Sequence, residues 1–302
     1  MNPQPWQSEE VADWERRGEY RNLLGWTIFT LDIPAEVGQD NDPLLVLHGF
    51  PTSSFDFHQV AAQLAKSRRL LLIDMLGFGL SEKPDIRYRI ELQADIVQAF
   101  MAEVAISRLA LLTHDMGDTV GGELLARNME GRWPVEVTAR VVTNGSIYIE
   151  MAQLTDGQKF LLDLPDERLA DGATIGAATT EGALKATFSP RSSVDAAELS
   201  AAWELISNRQ GHLLLPRTIR YIEDRRRNQD RYTGAIEDHP ATLSIIWGTD
   251  DPIAVSDMAT RLSKARSDSN LKRLENVGHY PMLESPDLFA EAVSDFLSSK
   301  IS

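Results

Sequence analysis

Short apolar segments along this chain alternate with segments of helical periodicity. The apolar segments predict strands at 27–33, 44–48, 70–74, 108–113, 137–143, 243–247 and 271–274. Helical spacing is clearest in 90–104, where Ile90, Ala94, Val97 and Met101 fall on one face. This alternation of strand and helix predicts an α/β fold, with a mostly parallel central sheet and helices on both of its faces.

The alternation stops between residues 146 and 237, where helices are predicted at 153–164, 195–207 and 216–227. A helical insertion after the strand predicted at 137–143 is expected to form a lid over the carboxyl edge of the sheet, where open α/β sheets bind ligands. An independent helical domain is the alternative, but short linkers and the two strands that follow favour an insertion. We therefore divide the chain into core residues 1–145, a helical cap or lid at 146–237, and further core residues 238–302.

Composition narrows the classes of partner. The chain has 302 residues, of which 43% are hydrophobic and 25% charged, as in ordinary globular domains. Its formal charge of −15 disfavours nucleic acid and anionic membranes as partners, since both repel an acidic surface. The run Arg225-Arg226-Arg227 lies in an acidic helix, and we interpret it as a solvated face.

The sequence also indicates the cellular compartment in which the protein is expected. It contains no cysteine, which excludes disulfides and thiolate chemistry. Residues Met1 to Glu10 are polar and lack the basic start and apolar core of a signal peptide. No apolar run approaches the roughly 20 residues of a membrane span. We therefore expect a cytoplasmic protein, either a monomer or a homodimer.

The chemistry is indicated first by the segment Leu111-Leu112-Thr113-His114-Asp115-Met116-Gly117-Asp118. It connects a predicted strand to a helix-forming segment, 119–128, and has the pattern of a nucleophile elbow. The residue at the tip is Asp115, whose reference pKa of about 3.9 means that it needs no base to be ionised. A carboxylate attacks an electrophilic saturated carbon and forms an alkyl ester. The residue type therefore favours epoxides or alkyl halides over ordinary esters as substrates.

A second loop is expected to supply hydrogen-bond donors. The tetrapeptide His48-Gly49-Phe50-Pro51 directly follows a buried strand. Its amide at Phe50, together with the amide of Met116 after the nucleophile, is predicted to form an oxyanion hole. The adjacent His48 and His114 are interpreted as hydrogen-bonded scaffolding rather than as catalysts.

Two later loops offer an acid and a base. The loop Trp247 to Pro252 follows the predicted strand at 243–247 and contains both Asp250 and Asp251. We prefer Asp251 because such loops usually have the spacing Gly-x-x-Asp. The loop after the last strand contains His279 within Gly-His-Tyr-Pro. The order of nucleophile, acid and histidine is that of a hydrolytic triad on an α/β sheet.

These motifs resemble those of α/β-hydrolase-fold epoxide hydrolases. The likeness rests on His-Gly-Phe-Pro, Gly77-Phe78-Gly79-Leu80-Ser81, His-Asp-Met-Gly and Gly-His-Tyr-Pro. It is greatest for the branch that contains the mesoderm-specific transcript proteins, in which Leu-His-Gly-Phe-Pro-Thr-Ser-Ser and Ser-Asn-Gly (here Thr143-Asn144-Gly145) look much the same. The chain departs from most epoxide hydrolases at Thr113, where they have glycine, and at Met116, where many have tryptophan.

The resemblance implies an epoxide hydrolase that needs no metal or organic cofactor and acts on a small apolar epoxide. The family usually places two lid tyrosines over the nucleophile. Tyr221 resembles one of them, and Tyr148 is the nearest candidate for the other. A haloalkane or haloacid dehalogenase with the same nucleophile is the alternative, although Met116 and Phe50 offer no side-chain N–H to a halide. A hydrolase-fold protein that only binds a ligand is the third interpretation.

Overall fold

The computed structural model describes residues 6–37, 41–173, 175–192 and 194–299. The first five residues of the polar segment Met1 to Glu10 therefore lie outside the described residues. Its centre is an eight-stranded sheet in the order β1-β2-β4-β3-β5-β6-β7-β8. The strands are β1 Glu19–Leu23, β2 Trp26–Ile33, β3 Leu44–Leu47, β4 Leu70–Ile73, β5 Arg108–His114, β6 Glu136–Thr143, β7 Thr242–Gly248 and β8 Asn270–Leu274. The pairs β1–β2 and β2–β4 are antiparallel and the others parallel, which confirms the predicted, mostly parallel sheet.

The strands that carry the site are buried on both faces. Strands β3 and β4 are four-residue apolar runs with every residue buried. Continuous apolar runs of this kind are typical of parallel strands covered by helices on both sides. Strand β1 was not predicted, because its sequence Glu-Tyr-Arg-Asn-Leu is polar and only Leu23 is buried. It pairs only with β2 at the edge of the sheet, where solvent satisfies its other side.

The helices are α1 Glu9–Arg17, α2 His58–Leu64, α3 Ile90–Glu103, α4 Met116–Met129, α5 Asp156–Asp163, α6 Ala177–Lys185, α7 Ala196–Ser207, α8 Leu215–Thr218, α9 Tyr221–Arg227, α10 Gln229–Asp238, α11 Ser256–Ala265, α12 Pro281–Glu284 and α13 Pro286–Ser298. Helices α2, α12 and α13 pack together, and α3, α4 and α10 form a second group. Helix α4, which follows the nucleophile elbow, is buried along most of its length.

The region between β6 and β7 contains helices α5 to α10 and, among its described residues, no strand. The predicted helix 216–227 is in fact two helices, α8 and α9, separated at Ile219 and Arg220. The Arg220 guanidinium donates to the carbonyl of Leu162 at 3.0 Å and of Pro216 at 2.9 Å, and so ties this break to α5 and α8. Helix α10, at the end of the predicted lid 146–237, packs against α4 of the core.

Helix α1 at the start of the described chain packs against α7. The carboxylate of Glu204 in α7 accepts from the amides of Gln7 at 2.6 Å and Ser8 at 3.1 Å. These contacts join the N-terminal segment to the helical insertion. In the described part of the chain, every helix is too short or too polar to cross a membrane.

Candidate active site

The turn between β5 and α4 places Asp115 at its tip with φ 49° and ψ −113°. A positive φ is costly for a residue with a side chain, and such positions are often functional. Two glycines make the turn possible. A Cβ at Gly117 would collide with the carbonyl of Leu47, and a Cβ at Gly49 would lie 2.7 Å from Cβ of Asp115. The elbow predicted from the sequence is therefore present, with its tip pressed against the loop after β3.

The two carboxylate oxygens of Asp115 have different neighbours. The Phe50 amide donates to Oδ2 at 2.9 Å. The other oxygen, Oδ1, lies 3.9 Å from Nε2 of His279. Met116 is the first residue of α4, so its amide is one of the first-turn donors that have no acceptor within the helix. Asp115 is only 2% exposed, so these groups meet in a site with little water.

The acid and base predicted from the last two loops also meet. Nδ1 of His279 lies 2.8 Å from Oδ2 of Asp251. The other oxygen of Asp251 accepts from the amides of Ile253 at 2.7 Å and Ala254 at 3.0 Å. Asp250 instead accepts a hydrogen bond from the hydroxyl of Ser189 at 2.7 Å. Asp251 is therefore the acid that orients the histidine.

The charge of His279 depends on both carboxylates. Burial lowers the pKa of His279, but Asp251, by its charge and its hydrogen bond, and then Asp115 raise it, to a net value of about 9. The imidazole is therefore positively charged near neutral pH in the resting site. To act as a base it must first lose that proton.

Asn144 connects the loops that carry the acid and the base. Its side-chain amide donates to Oδ2 of Asp251 at 2.8 Å, and its Oδ1 accepts from the amide of Gly248 at 2.9 Å. The residue follows β6 with φ 43°, a conformation that asparagine tolerates better than most residues. In the sequence Asn144 stands out only as part of the family motif Thr143-Asn144-Gly145, and the structure gives it a positioning contact.

The two histidines beside the motifs are held by backbone groups. Nε2 of His48 accepts from the amide of Met75 at 3.0 Å, and Nδ1 lies 2.8 Å from the carbonyl of Gly49. Nε2 of His114 lies 2.8 Å from the carbonyl of His279. Burial lowers the pKa of both, that of His114 to about 4, so they are neutral. This arrangement fits scaffolding.

The two predicted tyrosines differ. Tyr221 in α9 is buried, and its ring centroid lies 5.6 Å from that of Phe50. Burial raises the pKa of Tyr221 well above its usual value, and the charge of Asp115 raises it further. The hydroxyl of Tyr148, by contrast, donates to Oε1 of Glu237 at 2.6 Å. The hydroxyl of Tyr148 is thus directed to Glu237, and the geometry gives no support to the prediction that it donates to the substrate.

A different second tyrosine borders the site. Tyr280, directly after His279, is buried and lines a cavity that His279 also borders. Burial raises its pKa well above the usual value, and the nearby charges of Asp56 and Asp115 add to that effect, while a hydrogen bond with Thr52 opposes it. The sequence placed Tyr280 only in the Gly-His-Tyr-Pro motif, which did not reveal where its hydroxyl would lie.

The interpretation of the arginine run as a solvated face is wrong for one of its members. Arg226 and Arg227 are exposed, whereas Arg225 is 3% exposed and faces the elbow. Its Nε donates to the hydroxyl of Thr119 at 2.7 Å. A local charge pattern could not reveal this, because Thr119 lies 106 residues away in the sequence.

A cavity of about 130 Å³ lies between the insertion and the triad. An apolar cavity of roughly 150 Å³ holds a molecule the size of benzene. The titratable side chains among the lining residues are His279 and Tyr280. The full set is Phe50, Pro51, Thr155, Gly157, Gln158, Phe160, Leu161, Ile175, Thr179, Thr180, Ala183, Leu184, Thr187, Leu215, Ile253, His279 and Tyr280. Asp115 and Tyr221 are absent from this set, but both contact Phe50, which lines the cavity. Within the described ranges, no group of three or more His, Asp or Glu side chains is arranged to hold a metal ion.

Comparisons with known proteins agree with this geometry. LipZ of Mycobacterium tuberculosis, provisionally named a hydrolase, is 35% identical over 291 residues, which cover 96% of this chain and 99% of LipZ. The mesoderm-specific transcript homolog protein of Bos taurus is 31% identical over 314 residues, covering 98% of this chain and 90% of that protein. An alpha/beta hydrolase fold protein from Burkholderia ambifaria has a TM-score of 0.75 at 22% identity, covering 92% of this chain and 97% of that one. The model of the alpha/beta hydrolase family matches residues 44–292, and the chain belongs to that family.

Proposed function

We propose that this protein is an epoxide hydrolase, which converts an epoxide and water to a vicinal diol through an alkyl ester on Asp115. One observation carries the proposal: the elbow presents a carboxylate with Oδ2 bound by the Phe50 amide at 2.9 Å and Oδ1 left toward His279. A carboxylate in this position attacks saturated carbon and does not require a base to activate it. In an esterase the histidine activates the serine nucleophile. Here Asp115 needs no such activation, so His279 is available to activate water.

In the first step, Oδ1 of Asp115 bonds to a ring carbon and the carbon–oxygen bond of the ring breaks. Asp115 becomes a neutral ester, and the negative charge moves to the former ring oxygen. Tyr221 gives its proton to that oxygen, because an alkoxide is a stronger base than a phenolate. Burial raises the pKa of Tyr221, which keeps the phenol neutral and able to donate before the reaction.

In the second step, Nε2 of His279 takes a proton from water, and the water oxygen bonds to Cγ of Asp115. The oxyanion forms on Oδ2, which the Phe50 amide already binds. The bond from Cγ to the alcohol oxygen then breaks, and the diol leaves with the proton of the new carboxyl group. His279 releases its resting proton to solvent after Asp115 is alkylated, so it is neutral when it takes the proton from water. It then passes that proton to Tyr221 and regains its resting proton from solvent, so the sum of the steps is epoxide plus water to diol.

The two steps are coupled through the charge of Asp115. Burial lowers the pKa of His279, and Asp251 and Asp115 together raise it to about 9 in the resting site. Alkylation removes the charge of Asp115 and with it one of the causes that raise this pKa. His279 therefore becomes a better proton acceptor at the stage at which water must be activated.

The cavity supports a small, uncharged and apolar substrate. Phe160, Leu161, Leu184 and Leu215 contribute apolar walls, and the hydroxyl groups are those of threonines and Tyr280. No arginine or lysine lines it to bind a carboxylate or a phosphate. A substituent about the size of a phenyl ring fits the volume, which makes styrene-type and short terminal epoxides the first compounds to test.

Diol formation from terminal, styrene-type and cyclic epoxides tests the proposal. The wild type is expected to form diol from at least one class, and Asp115→Asn none. Asp250→Asn is the matched control, because Asp250 binds Ser189 and lies outside the triad. A folded wild-type protein that forms no diol from any class would contradict the proposal and favour the ligand-binding interpretation.

An oxygen-18 experiment tests the covalent step separately. With enzyme in excess over epoxide in labelled water, the first diol should carry unlabelled oxygen from Asp115, and the label should enter the Asp115 carboxyl group. Direct attack of water on the epoxide would instead place the label in the diol during the first turnover. That result would remove Asp115 from the role of nucleophile.

A further inference from the structure

Helix α9 carries a second polar side chain on the same face as Tyr221. Arg225 follows Tyr221 by four residues, and residues with this spacing lie one above the other on a helix. Both side chains are buried, although the next residue, Arg226, is exposed. The helix therefore directs a phenol and a guanidinium together into the core above the elbow.

The Arg225 guanidinium contacts the elbow and the tyrosine at once. Its Nε donates to Oγ1 of Thr119 at 2.7 Å, and its Nη2 donates to the backbone carbonyl of Asp115 at 3.4 Å. Its central carbon lies 5.2 Å from the centroid of the Tyr221 ring, within the range of a cation–π interaction. The Thr119 hydroxyl, the backbone of Asp115 and the ring of Tyr221 thus meet around one cation.

This cation is buried without an ion-pair partner. In the described part of the chain, no carboxylate lies within ion-pair distance of Arg225. A buried charge costs several kcal/mol unless other groups compensate it, and here the Thr119 hydroxyl, the Asp115 carbonyl and the Tyr221 ring do so. The carboxylates of Asp115 and Asp118 face the same region, and the charge of Arg225 opposes the rise that burial causes in the pKa of Asp118.

We infer that Arg225 is a positioning residue for the ring-opening step, and this inference rests on the proposed function. As the ring opens, negative charge moves from Asp115 to the oxygen that Tyr221 protonates, and partial phenolate character develops on Tyr221. Arg225 contacts the backbone carbonyl of Asp115 and the ring of Tyr221, so a fixed positive charge lies beside the two residues between which the negative charge moves. A preorganised charge of this kind lowers the barrier because it needs no reorganisation during the reaction.

The test compares alkylation rates in the His279→Gln background, in which the ester is expected to accumulate. Arg225→Met keeps an unbranched side chain and removes the charge, and Arg226→Met is the matched control on the exposed side of the same helix. With styrene oxide as the probe, Arg225→Met should slow adduct formation on the order of tenfold or more. Arg226→Met should alkylate at the parent rate. Equal rates in the two variants would overturn the inference.

A double-mutant cycle separates positioning from a general structural effect. If Arg225 acts through Tyr221, Arg225→Met should have little further effect in a Tyr221→Phe protein, because the group that it serves is gone. Fully additive effects would overturn the inference.

Thr119→Val removes only the hydroxyl that Arg225 binds, and a several-fold slower alkylation is expected. This variant decides the question if Arg225→Met does not fold. Absence of any adduct in the parent would contradict the proposed function itself, whereas an adduct that forms equally in all variants would contradict only the role of Arg225.

Discussion

The backbone amide of Phe50 donates to Oδ2 of Asp115 at 2.9 Å, while Oδ1 of the same carboxylate lies 3.9 Å from Nε2 of His279. The protein thus distinguishes the two oxygens before any substrate is present. In the proposed mechanism, Oδ1 is alkylated, and Oδ2 becomes the carbonyl oxygen of the ester and then the oxyanion. The donor that fixes the nucleophile is therefore already in place for the second step, which is what electrostatic preorganisation requires.

Removal of the Tyr221 hydroxyl should slow ring opening selectively. Tyr221→Phe keeps the ring that packs on Phe50 and loses the donor to the alkoxide. Loss of one such donor commonly costs on the order of a hundredfold or more in the step that it assists. Pre-steady-state measurements should find slower alkylation of Asp115 and an almost unchanged rate of ester hydrolysis through His279.

Two other tyrosines serve as comparisons for that experiment. Tyr148→Phe should alkylate at the wild-type rate, because its hydroxyl binds Glu237. Wild-type alkylation in Tyr221→Phe would mean that Tyr221 is not the acid. Tyr280, which lines the cavity and is affected by the charge of Asp115, would then be the next residue to test.

The pKa of His279 should fall when either neighbouring carboxylate loses its charge. Burial lowers this pKa, and Asp251 and then Asp115 raise it to about 9. NMR titration of the imidazole should therefore give a lower pKa in Asp251→Asn and, to a smaller extent, in Asp115→Asn. Because His279 must be neutral to accept a proton, ester hydrolysis in the wild type should become faster as pH rises through a pKa below 9.

Asp250→Asn is the control for the titration, since the carboxylate of Asp250 interacts with Ser189 and Arg191. The pKa of His279 should not change in that variant. An unchanged pKa in Asp115→Asn would refute the proposed coupling between alkylation and activation of water.

Halide release should be slow. A departing bromide needs a donor beside the nucleophile, and residue 116 is a buried methionine. We therefore expect little or no bromide from 1,2-dibromoethane under conditions in which the best epoxide is converted to diol. An ion-selective electrode measures the release. Bromide formation at a rate comparable with diol formation would favour the dehalogenase interpretation.

The elbow should tolerate no side chain at Gly117. A Cβ there would collide with the Leu47 carbonyl, which belongs to the backbone of β3 and cannot rotate away. Gly117→Ala should lower the free energy of unfolding by about 1–3 kcal/mol, as overpacked substitutions do. Gly234→Ala in α10 is the control, because its Cβ would meet no atom within 4 Å and alanine favours a helix. Equal destabilisation by the two changes in urea unfolding would contradict the packing argument.

Features with a local signal could be predicted from the sequence. Strands such as β3 and β4 are uninterrupted apolar runs, and the loops after strands carry the candidate catalytic residues in their expected order. The elbow itself depends on glycines at fixed positions, which are visible in any sequence. The edge strand β1 has no such signal, since its residues are mostly polar and only one of them is buried.

No local sequence pattern predicts which way the side chains of the helical insertion point. Tyr148 was predicted at the nucleophile, but its hydroxyl is bound by Glu237, 89 residues later in the chain. Arg225 was grouped with its exposed neighbours, although it binds Thr119 in a helix of the core. Both outcomes depend on how α9 and α10 pack over α4, and that packing is decided by contacts between distant segments.

The covalent intermediate tests the central claim most directly. His279→Gln should still open an epoxide but fail to activate water, so the alkyl ester on Asp115 should persist. After brief exposure to styrene oxide, intact-protein mass spectrometry should show an increase of one substrate mass, and peptide mapping should place it on Asp115. An adduct on any other residue, or no adduct in the variant although the wild type forms diol, would contradict the account.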